Sequence, residues 1–152
     1  MKKSILLLIV LMFGLNINAQ NSNENLPEYY WTDHVTEQPE GFDIDDNGNV
    51  SISTREGLVW LVSTVNGLNG QEPNDYEGLV VTLNDDLHDL DYYTWVPIGT
   101  SDNPFRGTFD GQNFIIDAIY MEDSEEGTNF GLFGTLDSAV IKRVTLGDGC
   151  II

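Results

Sequence analysis

The 152-residue chain has one cysteine, two histidines and only six basic residues against 25 acidic ones. Each shortage excludes something. With Cys150 alone, no intrachain disulfide can form, so burial and hydrogen bonding must hold the fold. Once Lys2 and Lys3 of the leader are set aside, the bases are Arg55, Arg106, Lys142 and Arg143, and the formal charge moves from −19 to −21. Such a surface repels phosphate backbones and anionic headgroups, which argues against nucleic acid and against direct membrane insertion. His34 and His88 stand in no metal-ligand or triad spacing, and there is no H-E-x-x-H, no G-x-S-x-G and no phosphate-cradling loop. Cys150 lies in an apolar stretch, where a small buried role suits it better than that of a nucleophile.

What is present begins with a leader. Lys2 and Lys3 precede an apolar run from Ile5 to Leu15, and Ala19 offers a small residue at a cleavage point before Gln20. Residues 1–19 therefore read as a secretory signal peptide, too short to span a membrane, which directs the chain through the Sec pathway. No cysteine follows the run, so a lipid-anchored start is not expected. Residues 20–152 suffice for one domain with a core. Residues 20–40 form a flank expected to be partly disordered. Its cluster Tyr29-Tyr30-Trp31 is expected to fold back over one end of the core rather than stand free.

Residues 41–67 read as a hairpin followed by a helix. Asn47-Gly48 supplies a tight two-residue turn, and Val50 and Ile52 alternate with polar neighbours. Asp43, Asp45 and Asn47 also open a calcium-loop pattern, but its twelfth position, which needs a bidentate Glu, is Thr54. The turn reading outweighs calcium, the one cofactor in prospect. Ser53 and Glu56 fit a capping box, Leu58, Leu61, Val62 and Val65 recur at helical spacing, and Asn66-Gly67 ends the run. The result is one amphipathic helix of about three turns, placed to cap the exposed end of the first solenoid coil.

From residue 78 to 152 the chain looks repetitive. Ile115–Met121 set beside Val140–Leu146 keeps apolar, polar and small positions nearly in step at a constant offset of 25. With Leu79, Val81 and Leu83 as an earlier strand, the pattern predicts an all-β stack of solenoid coils, each burying its apolar face on the next. The Gly131-Leu132-Phe133-Gly134 segment supplies corners and close approach. The last residues, Cys150-Ile151-Ile152, are apolar where a next strand would begin, so the solenoid is expected to be C-terminally incomplete and part of a longer protein.

These segments together resemble a known group. Ile52-Ser53-Thr54 with Leu58, Trp60, Leu61 and Val65-Asn66 is similar to the opening motif of bacterial surface proteins that carry GLUG motifs. Trp95-Val96-Pro97-Ile98-Gly99, Phe105-Arg106-Gly107-Thr108-Phe109-Asp110-Gly111 and Gly131-Leu132-Phe133-Gly134 match its later signatures in order, from about Ile52 to Leu146. The segment Asp110-Gly111-Gln112-Asn113-Phe114 departs from the group's usual turn. The resemblance implies a right-handed parallel β-helix in a protein exported to the outer surface of a Gram-negative, Bacteroidetes-like bacterium. Its motif residues are structural corners, so no catalytic residue is implied.

The expected function is a non-catalytic exported module of a cell-surface adhesin or interaction protein, with a host or environmental glycan or protein as partner. The alternative is the non-catalytic N-terminal region of a secreted peptidase or polysaccharide-degrading enzyme. Tyr92 and Tyr93 are the candidates for stacking on a glycan, because neighbours in an extended segment face opposite ways and Trp95 belongs to the core motif. Arg106 beside Asp110 is the one lyase-like pair, and an ordinary loop role for Arg106 outweighs it.

Overall fold

The computed structural model describes residues 30–121 and 131–151. The expected signal peptide, Tyr29 and the rest of the flank before it, the acidic segment from Glu122 to Thr128, Phe130 and Ile152 lie outside the described residues.

The described residues open with a single helical turn, α1 (Trp31–His34), and a hairpin of β1 (Phe42–Ile44) and β2 (Val50–Ile52). The hairpin forms where expected, but its loop is longer than a two-residue turn. Gly48 N–H donates to Asp45 O, Asp45 N–H donates to Asn49 O, and only Gly48 takes a positive φ, 86°. That is a three-residue loop closed by a left-handed glycine, in which Asn47 keeps an ordinary backbone.

The helix α2 (Arg55–Asn66) follows at once. Its N-cap is Thr54, one residue later than the expected Ser53, because Ser53 N–H is still engaged by Gly41 O. Thr54 Oγ1 accepts from Gly57 N–H at 3.1 Å and donates to Glu40 O at 2.9 Å. Glu56 turns away from the cap to pair with Arg55. At the other end Gly67 adopts φ 71° as the left-handed stop. The helix is buried on nearly every side from Gly57 to Ser63, and it packs on α1, β1 and β2. A helix so enclosed is a core element rather than a one-faced surface helix.

The strands β3 (Val80–Leu83), β4 (Thr108–Asp110) and β6 (Val140–Lys142) then extend the sheet, and β5 (Ile115–Ile116) pairs with β7 (Thr145–Leu146) in a second one. The main sheet runs β1-β2-β3-β4-β6, antiparallel at β1·β2 and parallel thereafter. Inward-facing Val50, Val81 and Phe109 stack in register and are buried, beside Ile52, Leu83, Ile98, Phe105 and Ile116.

The expected all-β, right-handed parallel β-helix is thereby corrected. The described residues form a mixed α/β domain with a mixed five-stranded sheet, a two-stranded one and two helices. The strands have only two to four residues, and most of the chain between them is turn held by isolated bridges such as Thr94↔Tyr120 and Ile98↔Phe133. The offset of 25 also fails. Ile115 pairs with Thr145 and Phe109 with Ile141, spacings of 30 and 32 residues, so the 25-residue alignment matched strands from two different sheets.

Candidate functional site

A polar and aromatic constellation gathers where α1 meets the segment before Trp95. Trp31 is buried, its Nε1–H donating to Leu90 O at 2.8 Å and its backbone N–H to Thr94 O at 3.1 Å. The indole thus anchors α1 onto the later segment; of the cluster expected to fold back, Trp31 does so, whereas Tyr30 is 47% exposed and Tyr29 lies outside the described residues. Tyr93 meets Trp31 edge-on at 5.0 Å between centroids and stacks on His34 at 3.7 Å with only 20° between ring planes. Tyr92 points the other way and is 62% exposed.

The Arg55 side chain lies beneath this group. Its guanidinium carbon stands 5.5 Å from the Trp31 ring centroid and 5.6 Å from that of Tyr92. Nε donates to Glu56 Oε1 at 2.8 Å, and Nη1 lies 3.5 Å from Asp89 Oδ2. These partners, Glu56 foremost, raise the arginine pKa, so the cation under Tyr92 is permanent. Each cation–π contact at such a surface is worth about 0.5–1 kcal/mol. The arrangement holds an exposed phenol ring on a fixed support, with its outer face open.

Of the two tyrosines singled out from the sequence, only Tyr92 offers a ring face to solvent, whereas Tyr93 is half-buried and committed to Trp31 and His34. Sequence reasoning missed Arg55 and His34 as members of the group. They lie far along the chain from the tyrosines; Arg55 showed only as a charged residue at a helix start, and His34 gave no local signal.

The candidate calcium residues are differently placed. Asp43 is an exposed β1 residue opposite Ser51. Asp45 Oδ1 accepts from Asn47 N–H and Asn49 N–H at 2.9 and 2.8 Å, and Oδ2 accepts from Asn49 Nδ2 at 3.0 Å. These bonds, the Asn49 side chain first, lower the Asp45 pKa. Asp45 therefore acts as the organiser of the hairpin loop. Among the described residues no three His, Cys, Asp or Glu side chains converge as metal ligands.

The lyase-like pair is not a pair. Arg106 Nη2 contacts Asp137 Oδ2 at 2.6 Å, and Nη1 lies 3.8 Å from Asp75 Oδ2. Asp110, buried, instead accepts from Arg143 Nε at 2.8 Å and faces Lys142 Nζ at 3.2 Å. Cys150 is half-buried, with its Sγ 3.6 Å from Ile116 O, and Trp95 is core, as expected of that motif.

No protein-family model, no curated protein and no solved structure matches this chain. The functional reading therefore rests on the site itself.

Proposed function

We propose that this chain is a non-catalytic interaction module of an exported, cell-surface protein, and that it contacts a glycan through Tyr92. The observation that carries this reading is the exposed Tyr92 ring seated on Arg55 and, through it, on buried Trp31. A sugar's C–H face stacks on such a ring, and a support already ordered in the free protein lowers the entropy lost on binding. The leader-like residues 1–19 and the GLUG-type motifs agree with presentation outside the cell.

Charge narrows the ligand. Asp91 adjoins Tyr92 in sequence, and Arg55 beneath the ring is already neutralised by Glu56 and Asp89. An acidic sugar would meet uncompensated carboxylates, so the ligand is a neutral or amino sugar rather than a sialic or uronic acid.

The test is a glycan array followed by calorimetry on the strongest neutral ligand. Tyr92→Ala should abolish binding while leaving the melting temperature near that of the parent, because the ring is exposed. Binding that survives Tyr92→Ala, or a preference for sialylated and uronate-rich glycans, would defeat the reading.

A further inference from the structure

Asparagine followed by glycine is a fragile pair, because a glycine nitrogen reaches the asparagine carboxamide carbon unhindered by a side chain. The sequence contains three such pairs, Asn47-Gly48, Asn66-Gly67 and Asn69-Gly70. Their chemistry in the unfolded chain is the same, and the fold sets them apart.

Attack needs a glycine nitrogen able to shed its proton and a carboxamide carbon free to meet it. At the first pair Gly48 N–H donates to Asp45 O at 3.0 Å, and the neighbouring Asp45 and Asp46 carboxylates oppose a negative nitrogen. At the second pair Gly67 N–H donates to Ser63 O, and the buried Asn66 side chain is held at both ends by Pro97 O and Gly99 N–H. The third pair differs. Asn69 at φ 54° and Gly70 at φ 74° are the central residues of a turn closed by Gln71 N–H on Leu68 O at 3.0 Å, a left-handed pair that suits Asn-Gly. The amide of the second central residue takes no part in closing such a turn, and Gly70 N–H has no acceptor among the described residues. Both residues are exposed, and nothing lies within 4 Å of where a Gly70 Cβ would stand, so ring closure has room.

What Asn69 holds gives the reaction a consequence. Its Nδ2 donates to Thr32 O at 2.7 Å and to Val35 O at 3.2 Å, carbonyls of α1 and its C-cap, and lies 3.4 Å from Ser63 Oγ of α2. A carboxylate in that place sets an acceptor against two carbonyl acceptors and can keep neither bond. The front of α1 stays fastened through Trp31 to Leu90 and Thr94, while its end, with His34 stacked on Tyr93, loses its hold on α2.

We infer that Asn69-Gly70 is a site of spontaneous deamidation that unfastens the end of α1 from α2. Gly70 N gives its proton to solvent base and bonds to Asn69 Cγ. The Cγ–Nδ2 bond then breaks and ammonia leaves. Water opens the cyclic imide to aspartate or isoaspartate, with no change of oxidation state. This inference is independent of the glycan reading.

The parent chain, kept folded at mildly alkaline pH, is sampled over time and mapped by peptide mass spectrometry. Asn69 should convert ahead of Asn47 by about tenfold, the worth of one hydrogen bond on the competing nitrogen, with Asn66 slowest. In urea the three rates should converge. Faster conversion of Asn47 or Asn66 in the folded chain overturns the inference, and so does a ranking that urea leaves unchanged. The mapping uses the parent chain, so it does not rest on any variant folding. Asn69→Asp tests the consequence. Exchange of the Val35 amide, which donates to Trp31 O, should accelerate about tenfold or more, while the Gly99 amide held by Asn66 stays protected. Unchanged exchange at Val35, or equal loss of protection at Gly99, overturns the unfastening of α1.

Discussion

Asn66 joins the end of α2 to the segment before β4, and its removal gives the most direct test of how this fold is held. Its Nδ2 donates to Pro97 O at 3.0 Å, its Oδ1 accepts from Gly99 N–H at 2.8 Å, and its own carbonyl accepts from Asn103 Nδ2 at 3.1 Å. The side chain is buried, as is Gly99. Asn66→Ala deletes the first two bonds and keeps the third. Leaving a buried N–H such as that of Gly99 unpaired costs about 1–3 kcal/mol, and the half-buried Pro97 carbonyl costs less because water can replace the lost donor. Alanine returns roughly 0.5 kcal/mol through its better helix propensity. The expected net loss is about 2 kcal/mol.

Urea unfolding should show that loss as a lower midpoint at an unchanged slope, because the surface exposed on unfolding stays the same. Exchange of the Gly99 amide should accelerate more than that of its neighbours, which a general loss of stability would not produce. A loss below about 0.5 kcal/mol with Gly99 protection intact would refute the reasoning, since it would mean that this amide finds another acceptor at no cost.

Two further outcomes follow from other groups. Arg143 above all, with the Gln112 N–H and Lys142, holds the Asp110 carboxyl well below the usual carboxylate range. A group with a depressed native pKa contributes stability above its unfolded value, near pH 4, and loses it as the pH falls toward the native one. The gap in urea midpoint between the parent and Asp110→Asn should therefore be wide at pH 7 and shrink toward pH 3; an equal gap at both would contradict the assignment. At Asp43, Asp45 and Asn47, calcium should leave the melting temperature no higher than sodium at matched ionic strength, because three hydrogen bonds already occupy Asp45. A rise specific to calcium would establish a site there.

The sequence carried most of what is local. Apolar residues at helical spacing and Asn66-Gly67 fixed α2 and its stop, alternation around Gly48 fixed the hairpin, and the opposite facing of neighbours separated Tyr92 from Tyr93. What failed was register over distance. Strands of two to four residues carry too few positions for a period to show, and unequal loops make the spacing vary, 31 residues from Val50 to Val81 but 28 from Val81 to Phe109. The contact of Trp95–Gly99 with Leu132–Gly134 was likewise invisible as pairing, although both segments stood out. Ile98 N–H donates to Leu132 O and Gly134 N–H to Ile98 O. A Cβ on Gly134 would meet Gly99 O at 2.4 Å, so this position must stay glycine for the two backbones to approach.

The same register explains how a chain with so few bases stacks its acids. Parallel strands in register set residues about 30 apart over one another, and columns of carboxylates would repel. Two devices intervene. The cations sit between ladder steps: Arg106 lies 31 residues from both Asp75 and Asp137 and touches each, Asp110 is met by Arg143 33 residues on, and Arg55 reaches Asp89 across 34. Elsewhere a backbone N–H of the next step replaces the cation. Asp86 Oδ1 accepts from Ile115 N–H at 2.7 Å, and Asp117 Oδ1 accepts from Gly149 N–H at 2.9 Å. A carboxylate that accepts a backbone N–H keeps its charge stabilised without a counter-ion. Acidic residues at these corners are thus fasteners between steps, and every base among the described residues serves the same purpose, which leaves the outer surface free to be acidic.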